Sequence, residues 1–369
     1  MATFRAAVIG LGRMGSTFDD EIERGGCLFL PFCHAPSYMA APNVELVAGV
    51  DPHPEQRQLF GQRWGLEDTH LYDDHQQMLE REKPDLVSVC TSARHRSRIV
   101  QDVAASGVRG IWAEKPVALS LAEADAMLAA CGDHGVVLAV NCARRWSPLF
   151  CETRRLVEEG ELGSVLQVTA MAQCGLSHNG SHAIDTIRYL AGGQIEWVFG
   201  EMESDEKAAT DHDLSGNGYL AFDNGVRAYL RALPTGLAQW EFDVIGTEGR
   251  VRSISNGLEF ELWKPVAGGP RAGTQPGRVP FPVPARPEGM GLTIIDDIIH
   301  CVEEGGQPRC SGEDGRAALE VALALRESHR RGGTRVPLPL EDRSLVMRSA
   351  EIAQDEVPTR IRRERAARG

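Results

Sequence analysis

The chain has 369 residues, 42% hydrophobic and 25% charged, which is enough apolar material for two packed domains and too little polarity for a disordered chain. With 52 acidic against 39 basic side chains, its net charge of −13 argues against a broad surface for nucleic-acid phosphates. Nine cysteines occur without a C-x-x-C pair, and neither a signal peptide nor a long apolar span is evident. A reduced, cytoplasmic protein with no membrane partner is expected.

The first element is a short apolar strand, Ala6–Ile9, running straight into Gly10-Leu11-Gly12-Arg13-Met14-Gly15. In a G-x-G-x-x-G turn the first glycine permits the tight bend, the second lets backbone approach a pyrophosphate, and the third lets helix and strand pack closely. The phosphates then lie at a helix N-terminus, where free N–H groups favour negative charge. A second buried strand, Val44–Val50, ends at Asp51, whose carboxylate suits two ribose hydroxyls and repels a 2′-phosphate. No arginine follows directly, so NAD is expected in preference to NADP. Asp51 stands 36 residues after Gly15, where about 20 is usual. The surplus, Thr17 to Cys33, reads as an insertion in or beside the first crossover. It carries Asp19, Asp20, Glu21 and Glu23 and then an apolar half, Leu28 to Phe32, that must bury against the other domain, a second subunit or the cleft. Within it, Cys27 and Cys33 each read as a small buried hydrophobe, with pairing or metal binding as the alternative.

Alternation continues with helices over 55–64 and 74–81, a strand over 85–90, a helix over 97–106 and a strand over 110–113. Next come Glu114-Lys115-Pro116 and an amphipathic helix opened by a Ser120/Glu123 capping box, then a strand over 136–140. This order predicts a doubly wound parallel sheet over residues 1–140. Beyond Asn141 the texture changes. A helix over 148–158 is followed by strand candidates over 165–172, 219–222, 226–230, 242–245, 251–254 and 258–263, two of them joined by Asp223-Asn224-Gly225. Residues 141–340 therefore read as an α+β domain with a large, mostly antiparallel open sheet. The Pro- and Gly-rich segment 266–291 reads as an exposed loop, 292–304 and 312–331 as helices, and 341–369 as a charged, solvated tail.

Several of these pieces occur together in one family: the glycine turn, Val50-Asp51, Glu114-Lys115-Pro116, Arg144-Arg145-Trp146-Ser147-Pro148, Ser181-His182-Ala183-Ile184-Asp185 and Gly312-Glu313-Asp314-Gly315-Arg316. The chain resembles the Gfo/Idh/MocA oxidoreductases, the glucose–fructose oxidoreductase and inositol dehydrogenase group. The resemblance implies an NAD-binding Rossmann domain, a C-terminal domain whose open sheet mediates dimers or tetramers, and a sugar, glycoside or cyclitol as substrate. It places Lys115 between nicotinamide and substrate, with His182 facing the reacting carbon–oxygen bond and Asp185 one helical turn on. His182 is then the general base, since a histidine titrates near neutrality. Lys115 stabilises the developing alkoxide. Gly10, Gly12, Arg13, Met14, Gly15, Asp51, Thr91, Ser92, Glu114, Lys115, Arg145 and Trp146 are expected around the cofactor; His178, Asp185, Asn141 and Arg144 are expected around the substrate.

The sequence departs from the family pattern twice. An aspartate often stands four residues before the histidine, and here His178 does; a helix would put His178 and His182 on one face. The two histidines with Asp185 also resemble a metal-ligand spacing, but no glutamate follows the first histidine, and no metal is expected. Where relatives carry Thr-Pro and a histidine after the third strand, this chain has Thr91-Ser92-Ala93-Arg94-His95-Arg96. Arg94 or Arg96 either meets an anionic group or caps a solvated helix end. Trp197, Trp240 and Trp263 either stack on a sugar or fill a core or subunit interface. Asp211-His212-Asp213 looks like a ligand cluster, but it begins a strand-rich stretch and reads as facing solvent or the cleft rim. Two other functions keep the same cofactor: an NAD-retaining lyase or glycosidase working by transient oxidation, and a non-enzymatic dinucleotide sensor. Retention of Lys115 and His182 argues against the sensor.

Overall fold

The computed structural model describes residues 3–22, 29–268, 273–284 and 288–348. The first sheet has six parallel strands: β1 (Phe4–Ile9), β2 (Val44–Val50), β3 (Leu71–Tyr72), β4 (Leu86–Val89), β5 (Gly110–Ala113) and β6 (Val137–Val140). Their order is β3-β2-β1-β4-β5-β6. The strand order reverses between β1 and β4, so the carboxyl ends of those two strands border the crevice where such sheets bind ligands. The strands β4 and β5 are buried at every residue, because helices cover both faces: α1 (His34–Ala40), α2 (Pro54–Trp64), α3 (His75–Glu82), α4 (Ala93–Ala104) and α5 (Leu121–His134).

The second sheet has nine strands: β7 (Val165–Gln173), β8 (Ile195–Met202), β9 (Gly216–Phe222), β10 (Arg227–Leu233), β11 (Glu241–Gly246), β12 (Arg250–Ile254), β13 (Glu259–Ala267), β14 (Thr274–Val279) and β15 (Val336–Pro337). The order is β14-β13-β12-β11-β7-β10-β9-β8-β15, antiparallel throughout except for the parallel β7–β10 pair. The helices of this half are α6 (Pro148–Glu158), α7 (Gly180–Ala191), α8 (Asp205–Ala208), α9 (Met290–Glu304) and α10 (Gly312–Arg330). Helices α7 and α10 pack on one face of the sheet.

Several sequence expectations are corrected. Residues 195–202, given no strand, form β8: burial of Ile195, Val198 and Met202 against α10 decides it. The loop expected over 266–291 contains β14, an edge strand, where Pro276 costs no ladder bond that a neighbour needs. At α5, Ser120 Oγ accepts from Glu123 N as expected, but the Glu123 carboxylate turns to Leu119 N; the reciprocal capping box is at α10, between Ser311 and Asp314. Helix α4 starts at Ala93, not at residue 97. The solvated tail is also shorter than expected. Residues 343–348 run back across the start of α5, where Met347 is fully buried and its N–H donates to Leu119 O. Residues 349–369 lie outside the described residues.

The insertion splits the first crossover. After Gly12 the chain makes a π-helical turn (Arg13–Thr17) and a 3-10 turn (Phe18–Glu21), and only later α1. Its acidic run acts as a set of staples. Asp19 accepts from Phe32 N and Cys33 N at 3.0 and 2.9 Å, Asp20 pairs with Arg63, and Glu21 pairs with Arg13. The apolar part settles on the start of α9: Phe32 is buried with Met290 and Ala143, and Met290 N donates to Phe29 O at 2.8 Å. Cys33 is buried, and the Cys27 half of the pairing considered above lies outside the described residues.

Candidate active site

The glycine turn has the shape a pyrophosphate requires. Gly10 has φ +91°, and a Cβ on it would lie 2.9 Å from the backbone of Cys90 and Thr91. A Cβ on Gly15 would lie 2.2 Å from Gly10 O, whereas one on Gly12 would meet nothing within 4 Å. Open space is thus kept above the middle glycine only. Asp51 stands at the end of β2, its carboxylate accepting Leu11 N at 3.0 Å and His53 N at 2.9 Å. Those bonds tie the carboxylate to the turn and leave each oxygen a further lone pair. Across the crevice, at the end of β4, the hydroxyls of Thr91 and Ser92 are buried with no hydrogen-bond partner among the described residues. Orphaned polar atoms of this kind suit a ligand that supplies the missing bonds. The residues present fit a bound dinucleotide. Arg13 and Met14 take side positions: Arg13 is exposed on Glu21, and Met14 packs on the insertion.

Lys115 and His182 come from different domains and meet through Asn179. Lys115 Nζ donates to Asn179 Oδ1 at 3.3 Å, and the Asn179 carbonyl accepts from His182 N at 3.1 Å. Asn179 caps α7, so the turn that opens this helix carries both partners. Lys115 is the residue after a buried network. Glu114 accepts from Asn141 Nδ2 at 2.6 Å and from His34 Nε2 at 3.2 Å, and His34 Nδ1 lies 2.8 Å from Ser88 Oγ. Burial pushes the Glu114 carboxyl up, but His34, Lys115 and Asn141 together hold it well below the usual range. Glu114 and Asn141 therefore anchor the lysine loop from beneath. His34, which closes the network from the insertion side, carried no signal in the sequence.

Burial, with the Lys115 and Arg144 charges nearby, holds His182 well below the ordinary histidine value. It is therefore neutral at pH 7. His178 is likewise pushed down, to about 3, first by burial and then by Lys115. It does not share a helical face with His182, because α7 begins at Gly180 and His178 lies in the turn before it. That turn is built on Asp213, whose two carboxylate oxygens each accept one N–H, from Ser177 and His178, at 2.8 Å. Asp213 belongs to the cluster expected to face solvent or the cleft rim; tertiary packing instead turns its carboxylate inward, beneath the His178 turn.

Three expected ligands are turned elsewhere. Asp185 is fully buried and takes Arg145 Nε and Nη2 at 2.8–3.0 Å, while Arg145 also reaches Asp314 at 2.9 Å and Arg309 O at 2.9 Å. Trp146 is 1% exposed, its Nε1–H donating to Asp297. Arg145, Trp146 and Asp185 thus pin β6, α7, α9 and α10 together behind the cleft. Asp185 also does not join the two histidines: among the described residues, the group of three possible metal donors within 4.8 Å is Cys142, Asp185 and Cys310. Arg96 is buried to 1% and its guanidinium donates to Pro116 O and Thr91 O, bracing the lysine loop against the β4–α4 turn. Arg96 is therefore not part of a solvated helix end, whereas Arg94, exposed in the first turn of α4, is.

Arg144 lies near His182. Its Nη2 donates to Asn256 Oδ1 at 2.8 Å, and its guanidinium carbon lies 4.5 Å from the centroid of Trp240. The Trp240 ring is 5.9 Å from that of His182, in an edge arrangement. Trp240 has φ +56°, a left-handed conformation that costs a bulky side chain about 1–3 kcal/mol.

A parallel sheet with a glycine-lined crevice and a lysine after one of its strands, facing a histidine on a helix of the adjoining open-sheet domain, defines a two-domain dinucleotide-dependent oxidoreductase. The chain belongs to the Gfo/Idh/MocA family: residues 4–142 match its oxidoreductase domain with an NAD-binding Rossmann fold, and residues 173–252 match its C-terminal domain. Its dinucleotide is NAD. The D-apiose dehydrogenase of Paraburkholderia graminis is 28% identical over 340 residues, covering 84% of this chain and 87% of that protein. The myo-inositol 2-dehydrogenase of Thermotoga maritima is 26% identical over 344 residues, covering 88% and 96%. Among solved structures, levoglucosan dehydrogenase in complex with NADH and L-sorbose superposes with a TM-score of 0.75 at 21% identity, over 92% of this chain and 100% of that one. At that identity the likeness establishes the fold.

Proposed function

We propose that this protein oxidises a secondary alcohol of a sugar, glycoside or cyclitol with NAD, using His182 as base and Lys115 as the group that steadies the oxygen. The observation that carries this reading is the Lys115–Asn179–His182 arrangement at the mouth of the glycine-lined crevice. The relatives named for apiose and inositol act on polyhydroxylated compounds, which supports the substrate class.

Bound NAD supplies the hydride acceptor. Gly10, Gly12 and Gly15 would hold its pyrophosphate, Asp51 its adenosine ribose, and the Thr91 and Ser92 hydroxyls the nicotinamide half. His182 is neutral and accepts the hydroxyl proton at its unprotonated ring nitrogen. Lys115 Nζ donates a hydrogen bond to the same oxygen as negative charge develops there, an interaction stronger in the transition state than in the ground state. Asn179 orients the ammonium. Glu114, held by His34 and Asn141, keeps the loop fixed while the charge changes hands.

The test is incubation with NAD⁺ and a panel of pyranosides, pentoses and cyclitols, followed at the NADH absorbance. Absence of turnover across the panel by protein that binds NAD counts against net dehydrogenation, and retained NAD with cleavage or elimination products would point to transient oxidation instead. A homo-oligomer is part of the reading. The sheet face away from α7 and α10 carries Trp197, Phe199, Tyr219 and Tyr229 in a run of ring contacts, with Tyr229 42% exposed. Light scattering that returned the monomer mass would remove it. A reducing, cytoplasmic location is supported by free thiols at all eight described cysteines, and among the described residues no helix is long and apolar enough to cross a membrane.

A further inference from the structure

We infer that Trp240 selects ring-shaped substrates, acting as the platform on which the C–H face of a cyclic polyol lies while its hydroxyl meets His182. The inference rests on the function proposed above and adds to it the residue that reads substrate shape. Three independent features of Trp240 point to the role.

The first is position. Of the three tryptophans open to a sugar-stacking role, Trp197 and Trp263 lie on strands β8 and β13, whereas Trp240 is the one in ring contact with His182. The second is backbone conformation. Trp240 precedes β11 with φ +56°, and the facing turn between β12 and β13 is also left-handed, at Ser255 (φ +51°) and Asn256 (φ +54°). The two turns are tied together, Asn256 N donating to Gln239 O at 2.5 Å. Three non-glycine residues in a sparsely populated region, held by one another at one edge of the cleft, are the kind of local strain that packing retains where a side chain must be aimed. The third is chemistry. Trp240 is only half-buried, and Arg144 lies against its ring while bonding to Asn256 Oδ1, so the indole is fixed in orientation by a cation and a tied turn. A rigid aromatic surface beside a neutral histidine suits a ligand with an apolar face and a hydroxylated edge, which describes a pyranose or cyclitol in its chair form. A short acyclic polyol offers no such face.

The experiment is calorimetric titration of the NADH-loaded full-length protein with methyl β-D-glucopyranoside, myo-inositol and glycerol, for the wild type and for Trp240→Ala, Trp240→Phe and Trp240→Gly. Affinity for whichever cyclic ligand the wild type binds should fall about tenfold in Trp240→Ala and stay within about threefold in Trp240→Phe, with glycerol binding and NADH affinity unchanged. Trp240→Gly should lose the cyclic ligand equally, yet melt no lower than Trp240→Ala, since glycine accepts a positive φ. Wild-type-like binding of cyclic ligands by Trp240→Ala overturns the platform. An equal loss of glycerol or of NADH overturns it as well, because the indole would then be holding the fold. A wild type that binds NADH and neither cyclic ligand overturns the sugar reading itself, and the two failures are thereby told apart.

Discussion

Replacing Arg145 by methionine separates a structural arginine from a cofactor ligand. The guanidinium makes three contacts of 2.8–3.0 Å with Asp185, one of 2.9 Å with Asp314 and one of 2.9 Å with Arg309 O. Asp185 is fully buried, and without Arg145 its nearest remaining cation is Arg188, at 3.9 Å. Removing one partner of a buried ion pair strands the other charge and costs about 3–5 kcal/mol. At roughly 2 °C per kcal/mol, the low end for a long chain, the melting temperature should drop by about 6–10 °C. The pH dependence has a definite sign. Burial already pushes the Asp185 carboxyl above its ordinary value in the native protein, against the pull of Arg145. Without Arg145 the folded-state value rises further, so the folded state holds a proton that the unfolded chain has released. The deficit is small below the unfolded carboxylate value and grows as pH rises toward the folded one. The double variant Arg145→Met/Asp185→Leu should recover much of the loss, because an apolar pair carries no desolvation penalty. The assays are thermal melting at pH 5 and pH 8 and NADH binding by fluorescence. A melting temperature within about 1 °C of wild type, together with a tenfold loss of NADH affinity, would refute the reasoning and return Arg145 to the cofactor.

The other expectations concern the crevice. Lys115→Met and His182→Asn should each lower kcat by about 10²–10⁴-fold while NADH still binds, as measured by steady-state kinetics beside a binding titration. Because His182 is held below its ordinary value of 6.5, the acidic limb of kcat/KM should lie below that pH, and activity should be flat from pH 6.5 to 7.5. The buried, neutral His34 is held low by burial in the same way, so the unfolded state binds more protons below pH 6.5 and stability should fall there as pH is lowered, which melting from pH 7 to pH 5 would register. Gly12→Ala should fold with an unchanged melting temperature and bind NAD more weakly, since its Cβ enters the space kept for phosphate. Gly15→Ala should be destabilised instead, its Cβ lying 2.2 Å from Gly10 O.

Much of the site's chemistry was legible in residue order, and most of its support was not. The glycine turn, Asp51 and the lysine before Pro116 sit at the ends of short apolar strands, and strand ends in a parallel sheet are where ligands collect. Arg145, Trp146 and Asp185 also matched the family's motifs, yet their side chains face inward. A motif specifies residue type and spacing, and the same arginine serves as a pyrophosphate contact or as a buried partner depending on which helices pack behind it. His34 and Asp213 lie outside every motif: one reaches Glu114 across 80 positions, the other holds the His178 turn from 35 positions away.

By itself the amino-acid order determined the alternation of buried strands and helices, the crevice at the strand reversal and the dinucleotide it takes, because hydrophobic periodicity and glycine stereochemistry are local properties. Only the tertiary structure decided that Asn179 joins the lysine of one domain to the histidine of the other, that the insertion closes onto α9, and that the Trp240 ring meets that of His182. Those outcomes depend on side chains distant in sequence competing for the same buried space and hydrogen bonds, a competition that is resolved when the two sheets dock.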